Sequence, residues 1–348
     1  MKLASIGAAA IAAAISFGAP HASAQAPIRW DMQSTYPGAM TQLGTLGKQL
    51  ERRLAAISGG RIQVKFQEPG AVVPALEAFD AVSSGAVQAA WSTPGYWTGK
   101  EVALALFASV PFGPSSGEYL AWMKFGGGQQ LMDEVYGKYG IKSLLCGIIA
   151  PEASGWFRKE IKTVGDLRGL KMRFFGLGAK VMEKMGVSTQ LLAGGDIFPA
   201  LERGTIDATE FSMPAIDLSL GFHQVAKHYY FPGWHQQSTL FDLMMNKATW
   251  DRLPAQDKVI IETTCDAQLA YGFAEGEAIQ GKALKELQSK GVTIHKWSPE
   301  ILAALRNAWD EVAAEERAKN PVFARVWESL QTFRAEYKIW KDVGYLND

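Results

Sequence analysis

Arg173 is the residue in this chain best suited to holding an anion. It ends the segment Gly169-Leu170-Lys171-Met172-Arg173, and Phe174-Phe175-Gly176-Leu177-Gly178 follows. That pattern reads as a short strand running into a glycine turn and a helix. In open α/β sheets, ligands bind beyond the carboxyl ends of strands. A guanidinium there presents a planar fork of five donors that matches a carboxylate. Aromatic, acidic and amide groups gather at other candidate turns: Trp91, Tyr96 and Trp97; Trp156; Glu210 and Phe211; and Pro232-Gly233-Trp234-His235-Gln236-Gln237. Aromatic walls with few polar anchors describe a small-molecule pocket. Each of these residues, taken singly, also suits an ordinary core or surface position, so the elements that carry them decide.

Those elements alternate. The N-terminal half reads as strand 28–33, helix 41–58 closed by Gly59-Gly60, strand 61–67 ended by Glu68-Pro69-Gly70, helix 74–84 and strand 87–92. This βαβ rhythm predicts a mostly parallel sheet with helices on its faces. Residues 81–92 share a plan with residues 200–211: a helix, a glycine at its end, one spacer and a strand of small residues. Trp91 and Glu210 take equivalent strand ends. The chain therefore reads as two related α/β lobes, each offering a strand terminus to a shared crevice. Residues 254–290 read as a long helix that can touch both lobes, with Gly272, Gly276 and Gly281 as places for a kink or break. Ser298-Pro299-Glu300 is a helix start, with a hydroxyl cap, proline at the first position and an acid in the first turn. Val326, Leu330, Phe333, Tyr337 and Trp340 form a narrow apolar seam on one helix face. Such a seam packs either on the protein's own core or on a partner.

Other chemistries are not supported. The sequence has no G-x-S-x-G elbow, H-E-x-x-H, phosphate loop or C-x-x-C. His223, His228, His235 and His295 do not share a helical spacing, which argues against a histidine-rich metal site. With 35 basic and 35 acidic residues the chain is neutral and lacks a basic block for nucleic acid. Lys2, the apolar run 3–17 and Ala22-Ser23-Ala24 form a secretory signal peptide, with cleavage expected after Ala24. The remaining ~320 residues suit two lobes of roughly 150 each. Export permits Cys146 and Cys265 to pair, but their spacing leaves a disulfide and two buried thiols equally open.

At this point a family resemblance is plain. Trp156-Phe157-Arg158-Lys159-Glu160-Ile161, 166–173, 204–210 and Tyr229-Tyr230-Phe231-Pro232-Gly233-Trp234-His235 resemble the DctP-type solute receptors of TRAP transporters. The closest branch is the one that binds 2-oxo acids and related monocarboxylates. The resemblance covers nearly all of the chain after the leader. It implies a two-lobed periplasmic-binding-protein-like α/β fold of type II character, with mixed sheets, flanking helices and a long lobe-spanning helix. The expected division is lobe 1 at 27–150 plus about 235–260, lobe 2 at 151–234 plus about 261–305, and a C-terminal helical segment at 306–348. The resemblance further implies a periplasmic receptor, not an enzyme. Arg173 would clamp the solute carboxylate, Trp91 and Tyr96 would close over it, and Trp156, Glu210, Phe211 and Gln236 would complete the pocket. Delivery would be to a permease with small and large membrane subunits. A homodimer built by exchanging the C-terminal helix is also implied.

In that branch a cation, Na⁺ or Ca²⁺, sits beside the solute carboxylate. The matching ligands here are Glu210, the Phe211 carbonyl and Gln236. The sequence departs from the branch at Gln236, where a carboxylate is usual, and at Ala153, read as the place of an amide three residues before Trp156. The expectation is a weakened cation site that has lost one anionic and one neutral ligand. Phe211, where tryptophan is common, is expected to leave room for a solute larger than pyruvate. The competing readings are a sensory receptor for a carboxylate acting on a signalling partner, and an exported enzyme on the same scaffold.

Overall fold

The computed structural model describes residues 26–346; the leader read at 1–24 lies outside the described residues. Two sheets organise the chain. The first takes β1 (Ile28–Ser34), β2 (Ile62–Gln67), β3 (Ala89–Ser92), β4 (Ile141–Ile149) and β10 (Thr239–Asn246), in the order β2-β1-β3-β10-β4. The second takes β5 (Gly155–Phe157), β6 (Lys171–Arg173), β7 (Ser188–Gln190), β8 (Ala208–Thr209), β9 (His228–Phe231) and β11 (Thr293–Lys296), in the order β11-β9-β5-β8-β6-β7. β1 pairs in parallel with β2 and β3, and β6 in parallel with β7 and β8. β10 and β5 run antiparallel to their neighbours. Both sheets are therefore mixed, and each is the core of one lobe.

Sequence pattern explains the pairing. In β2, Ile62, Val64 and Phe66 turn inward while Gln63 and Lys65 face out, the alternation of a half-covered edge strand. β3 and β10 lie between neighbours and are buried almost throughout, hence their continuous apolar runs. Helices α1 (Leu43–Ile57), α2 (Ala78–Ser84), α3 (Ser116–Phe125) and α4 (Gly128–Gly137) belong to the first lobe. α1 buries Leu43, Leu46, Leu50 and Leu54 along one stripe. Helices α5 (Gly176–Lys184), α6 (Gly194–Glu202) and α7 (Pro214–Leu220) belong to the second. Short α8 (Lys247–Asp251) follows β10.

α9 (Ala255–Ser289) is a single helix of 35 residues. The break expected at its glycines is absent. Gly272 and Gly276 instead allow close packing: a Cβ on Gly272 would stand 3.0 Å from Leu46 Cδ1, and one on Gly276 3.2 Å from Gln42 Oε1. The sequence division placed α9 with lobe 2 from about residue 261. The helix in fact stays against first-lobe groups through Gln42, whose amide donates to the Gly272 carbonyl at 2.8 Å. It meets the second lobe at Gln280, which accepts from the Ala215 amide at 3.0 Å. Cys146 on β4 and Cys265 on α9 form a disulfide, settling the pairing left open by sequence. A covalent tie across 119 residues of chain is worth roughly 2–5 kcal/mol in comparable folds.

α10 (Pro299–Lys319) lies on the second lobe, with Ser298 Oγ capping it at the Ile301 amide and Lys180 of α5 paired to Glu316 at 2.8 Å. α11 (Pro321–Gly344) returns to the first lobe. The apolar seam divides along its length. Val326 and Leu330 are buried against the chain's own core and Ser329 accepts from the Trp122 indole, while Trp340 at the tip is 59% exposed.

Candidate functional site

The chain crosses between lobes at 150–154, at 232–238 and along α9. The first two crossings run side by side. The Glu152 amide donates to the Gln236 carbonyl at 3.1 Å, and the Gly233 amide donates to the Glu152 carbonyl at 3.0 Å. A side chain at 233 would put its Cβ 2.3 Å from the Glu152 oxygen, so only glycine permits this approach. Beside these crossings, between the carboxyl ends of β3 and β8, lies a small cavity. It measures about 20 Å³ for the centre of a water-sized sphere, room for one or two waters. Tyr36, Leu43, Thr93, Tyr96, Thr239 and Phe241 line it from the first lobe. Arg173, Phe175, Phe211 and Ser212 line it from the second, and Glu152 and Gln236 from the crossings.

Arg173 is 1% exposed. It ends β6, which is three residues long, and its guanidinium is already engaged. Nη1 donates to Glu210 Oε1 at 2.7 Å and to the Glu210 carbonyl at 2.9 Å, and Nε donates to the Leu192 carbonyl at 3.2 Å. The Phe211 ring lies 5.1 Å from the guanidinium carbon, within cation–π range. The fork expected to face a solute is therefore partly spent inside the protein. Burial pushes the Glu210 carboxyl up, but the Arg173 charge and His235 outweigh it and hold the group below its ordinary value.

Glu152 was not singled out by the sequence. Its Oε1 accepts from Thr239 Oγ1 at 2.9 Å and from Gln236 Nε2 at 3.1 Å. Burial and the nearby Glu210 charge push its carboxyl well above the usual range. Among the described residues, Glu152 Oε2, Gln236 Oε1 and Ser212 Oγ are buried without a hydrogen-bond partner, as is Glu210 Oε2, which has His235 Nε2 at 3.5 Å. One ligand atom each from Glu152, Glu210 and His235 lies within 4.8 Å of the others. The sequence expectation of a lost anionic ligand was drawn at Gln236 and Ala153, and the neighbouring Glu152 brings a carboxylate to the same place. The position that faces the site is Glu152, not Ala153, so a carboxylate stands beside the Gln236 amide.

Tyr96, Phe211, Gln236 and Arg173 come together around one cavity, and Glu210 is paired to Arg173 beside it. Trp91 and Trp156 do not line it. Trp91 lies one layer behind, its indole donating to the Leu43 carbonyl at 2.6 Å and its ring stacked with Phe241 at 6.2 Å. Trp156 stacks on Tyr229 at 3.8 Å and donates to Asp217 Oδ2 at 2.9 Å. The repeat explains Trp91's displacement. β3 stays in its ladder through Ser92, whereas β8 leaves at Thr209. Trp91 is therefore still within the sheet where Glu210 is already in the turn. Carrying the repeat one step further pairs Thr93 with Ser212, and these two do line the cavity. Glu152 also had a visible signal, an acid one proline beyond the apolar run 144–150.

Two lobes meeting over a buried arginine are the architecture of a solute receptor. The chain belongs to the bacterial extracellular solute-binding protein family 7, DctP, whose sequence profile matches residues 33–320. It is the solute-binding component of a TRAP transporter. It is 35% identical over 323 residues to the monocarboxylate 2-oxoacid-binding periplasmic protein of Nostoc sp., covering 92% of this chain and 88% of that one. A TRAP solute-binding protein of Bordetella bronchiseptica, seen as a dimer with calcium and picolinate, superposes with a TM-score of 0.90 at 33% identity, covering 92% and 95% of the two chains. One from Pseudoalteromonas atlantica, with sodium and pyruvate bound, superposes with a TM-score of 0.88 at 34% identity, covering 91% and 97%.

Proposed function

We propose that this receptor captures a small monocarboxylate bearing a second acceptor next to its carboxylate, together with a cation, and hands the solute to the membrane permease. The observation that carries the reading is the buried set of unsatisfied oxygens from Glu152, Glu210, Gln236 and Ser212 beside Arg173. Buried polar atoms are rarely left unpaired, and this group lies where the lobes meet. Arg173 orients the solute carboxylate with the nitrogen not committed to Glu210 or Leu192. Tyr36, Tyr96, Phe175 and Phe241 exclude water around it, which strengthens the remaining polar contacts.

Charge supports the cation. The Arg173 charge is already offset by Glu210, so an incoming monoanion meets no surplus positive charge. Glu152, Glu210, Gln236 and the Phe211 carbonyl are the groups that would hold a hard, oxygen-preferring ion. Such an ion would neutralise the solute carboxylate and bind its neighbouring acceptor. Pyruvate and picolinate, bound by the structural relatives, both place such an acceptor beside the acid. The cavity is small, with Tyr36, Phe175 and Phe241 filling its walls.

Calorimetry with pyruvate, before and after a chelator and with calcium or sodium restored, tests the reading. Micromolar binding that falls at least about tenfold on chelation is expected. A thermal-shift screen in which small carboxylates do nothing and an uncharged solute stabilises the protein would overturn it. Residues 1–24 would direct export to the periplasm. The tip of α11, with Ile339, Trp340 and Val343 exposed, would pair with a second copy. Light scattering should show a dimer that Trp340→Glu converts to monomer; a monomeric wild type would remove that assignment.

A further inference from the structure

We infer that Glu152 and Gln236 have exchanged their parts in the cation site: Glu152 supplies the second carboxylate, Gln236 supplies the neutral oxygen, and together with Glu210 they make the site selective for a divalent ion. The inference rests on the solute-and-cation reading above and concerns only how this chain builds that site. The resemblance places a carboxylate at 236 and an amide shortly before Trp156. The structure shows the opposite pair, facing each other across the two crossings.

The hydrogen bonds fix how the pair is turned. Gln236 Nε2 donates to Thr239 Oγ1 at 2.7 Å and to Glu152 Oε1 at 3.1 Å, while the Thr239 hydroxyl donates to Glu152 Oε1 at 2.9 Å. An amide nitrogen facing a carboxylate must turn its own oxygen elsewhere. Gln236 Oε1 and Glu152 Oε2 are accordingly the two atoms of the pair left buried and unpartnered. Both residues are about 3% exposed, so water does not satisfy them freely. Oxygens sharing one calcium at 2.3–2.6 Å lie no more than about 5 Å apart. The ligand atoms of Glu152 and Glu210 meet that limit at 4.8 Å or less.

Charge then selects the ion. Glu210 is balanced by Arg173 at 2.7 Å. Among the described residues Glu152 has no such ion-pair partner; a hydroxyl and an amide donate to it. A cation bound at Glu152 favours its ionised form over the neutral one that burial favours; with a solute carboxylate also present, two negative charges then remain, which a divalent ion cancels and a monovalent ion does not. Had the exchange removed the carboxylate instead of moving it, the same count would favour sodium.

The test is calcium titration of the chelator-treated protein with saturating pyruvate, by calorimetry and by equilibrium dialysis of radioactive calcium, repeated with sodium in competition. Glu152→Gln is expected to weaken calcium about 30-fold or more and to erase the preference over sodium. The double variant Glu152→Gln/Gln236→Glu is expected to recover calcium binding to within about fivefold of wild type. Calcium affinity unchanged in Glu152→Gln, or a double variant no better than the single, overturns the inference. If Glu152→Gln does not melt cooperatively, Glu152→Asp keeps the charge and must retain the calcium preference. A wild type that binds pyruvate without calcium overturns the exchange alone. A wild type that binds pyruvate under no ionic condition overturns the solute reading as well.

Discussion

The two lobes that meet at the cavity handle a buried carboxylate in opposite ways. In the second lobe, Glu210 is fully buried but lies 2.7 Å from Arg173. In the first lobe, Asp242 on β10 is equally buried, and its recorded partner is the Ser143 hydroxyl at 2.6 Å. Burial pushes Asp242 up to about 6, whereas Glu210 is held below its ordinary value. The first lobe's wall of the cavity, in front of Asp242, carries hydroxyls and rings: Thr93, Tyr36, Tyr96 and Phe241. One lobe thus carries the charged pair and the other a largely neutral aromatic face; on the proposed reading the former holds the anion and the latter closes on it. A receptor built this way orients the solute from one side, and lobe closure contributes burial instead of new charge.

Removing Arg173 breaks the comparison most completely. Arg173→Ala leaves Glu210 and Glu152 buried with no cation, and breaking a buried pair from one side costs about 3–5 kcal/mol. Solute affinity should fall more than about 100-fold, since a charge-assisted contact and its supporting geometry are lost together. Arg173→Lys should recover part of the stability and little of the binding, because an ammonium cannot reproduce the bonds that Nε and Nη1 make to Leu192 and Glu210. Calorimetry and thermal unfolding of the two variants read these effects separately. Normal pyruvate binding by Arg173→Ala would remove the residue from the site.

Asp242 sharpens the comparison through pH. Its folded value lies above the ordinary value of 3.8, so ionisation is disfavoured in the fold. Below about pH 3.8 both states are protonated and the group contributes nothing. Between about 3.8 and 6 the unfolded chain ionises first, and stability is lost as pH rises; above about 6 the full penalty stands. Glu210 acts with the opposite sign, its stabilisation present above about 4.5 and lost on acidification. Asp242→Asn should therefore stabilise the protein by roughly 1–3 kcal/mol at pH 8 and have no effect near pH 3.5. Chemical denaturation at the two pH values checks this. An equal change at both would mean the carboxyl does not titrate in the fold.

What was legible in the sequence followed from local pattern. Alternation in 61–67, the glycine-ended helices at 85 and 204, and the Ser298-Pro299 cap each depend on near neighbours, and each is where the sequence placed it. Arg173 was visible for the same reason, as an arginine at the end of a short strand. The disulfide, the unbroken α9 and the place of Glu152 depend on partners far along the chain. Gly272 looks like a helix breaker until Leu46 of α1 is seen packed against it. Glu152 looks like a loop acid until Gln236, 84 residues away, is found donating to it. Trp91 misled because a repeat in sequence need not leave its sheet at the same residue.

Trp91 and Tyr96 give the smallest and finest test, since both are buried aromatic residues of the first lobe and only one touches the cavity. Tyr96 meets Phe175 of the second lobe edge to face at 5.3 Å, a contact worth about 0.5–1.5 kcal/mol beyond its burial. It exists only when the lobes are together. Tyr96→Ala should weaken the solute by about fivefold, with a modest change in unfolding temperature. Trp91→Phe removes the indole bond to the Leu43 carbonyl and should lower stability by about 1 kcal/mol while leaving affinity within twofold of wild type. Measuring both quantities on both variants separates a closing face from the layer that props it. If Trp91→Phe lost affinity in proportion to stability while Tyr96→Ala lost none, the division between cavity wall and support would be the wrong way round.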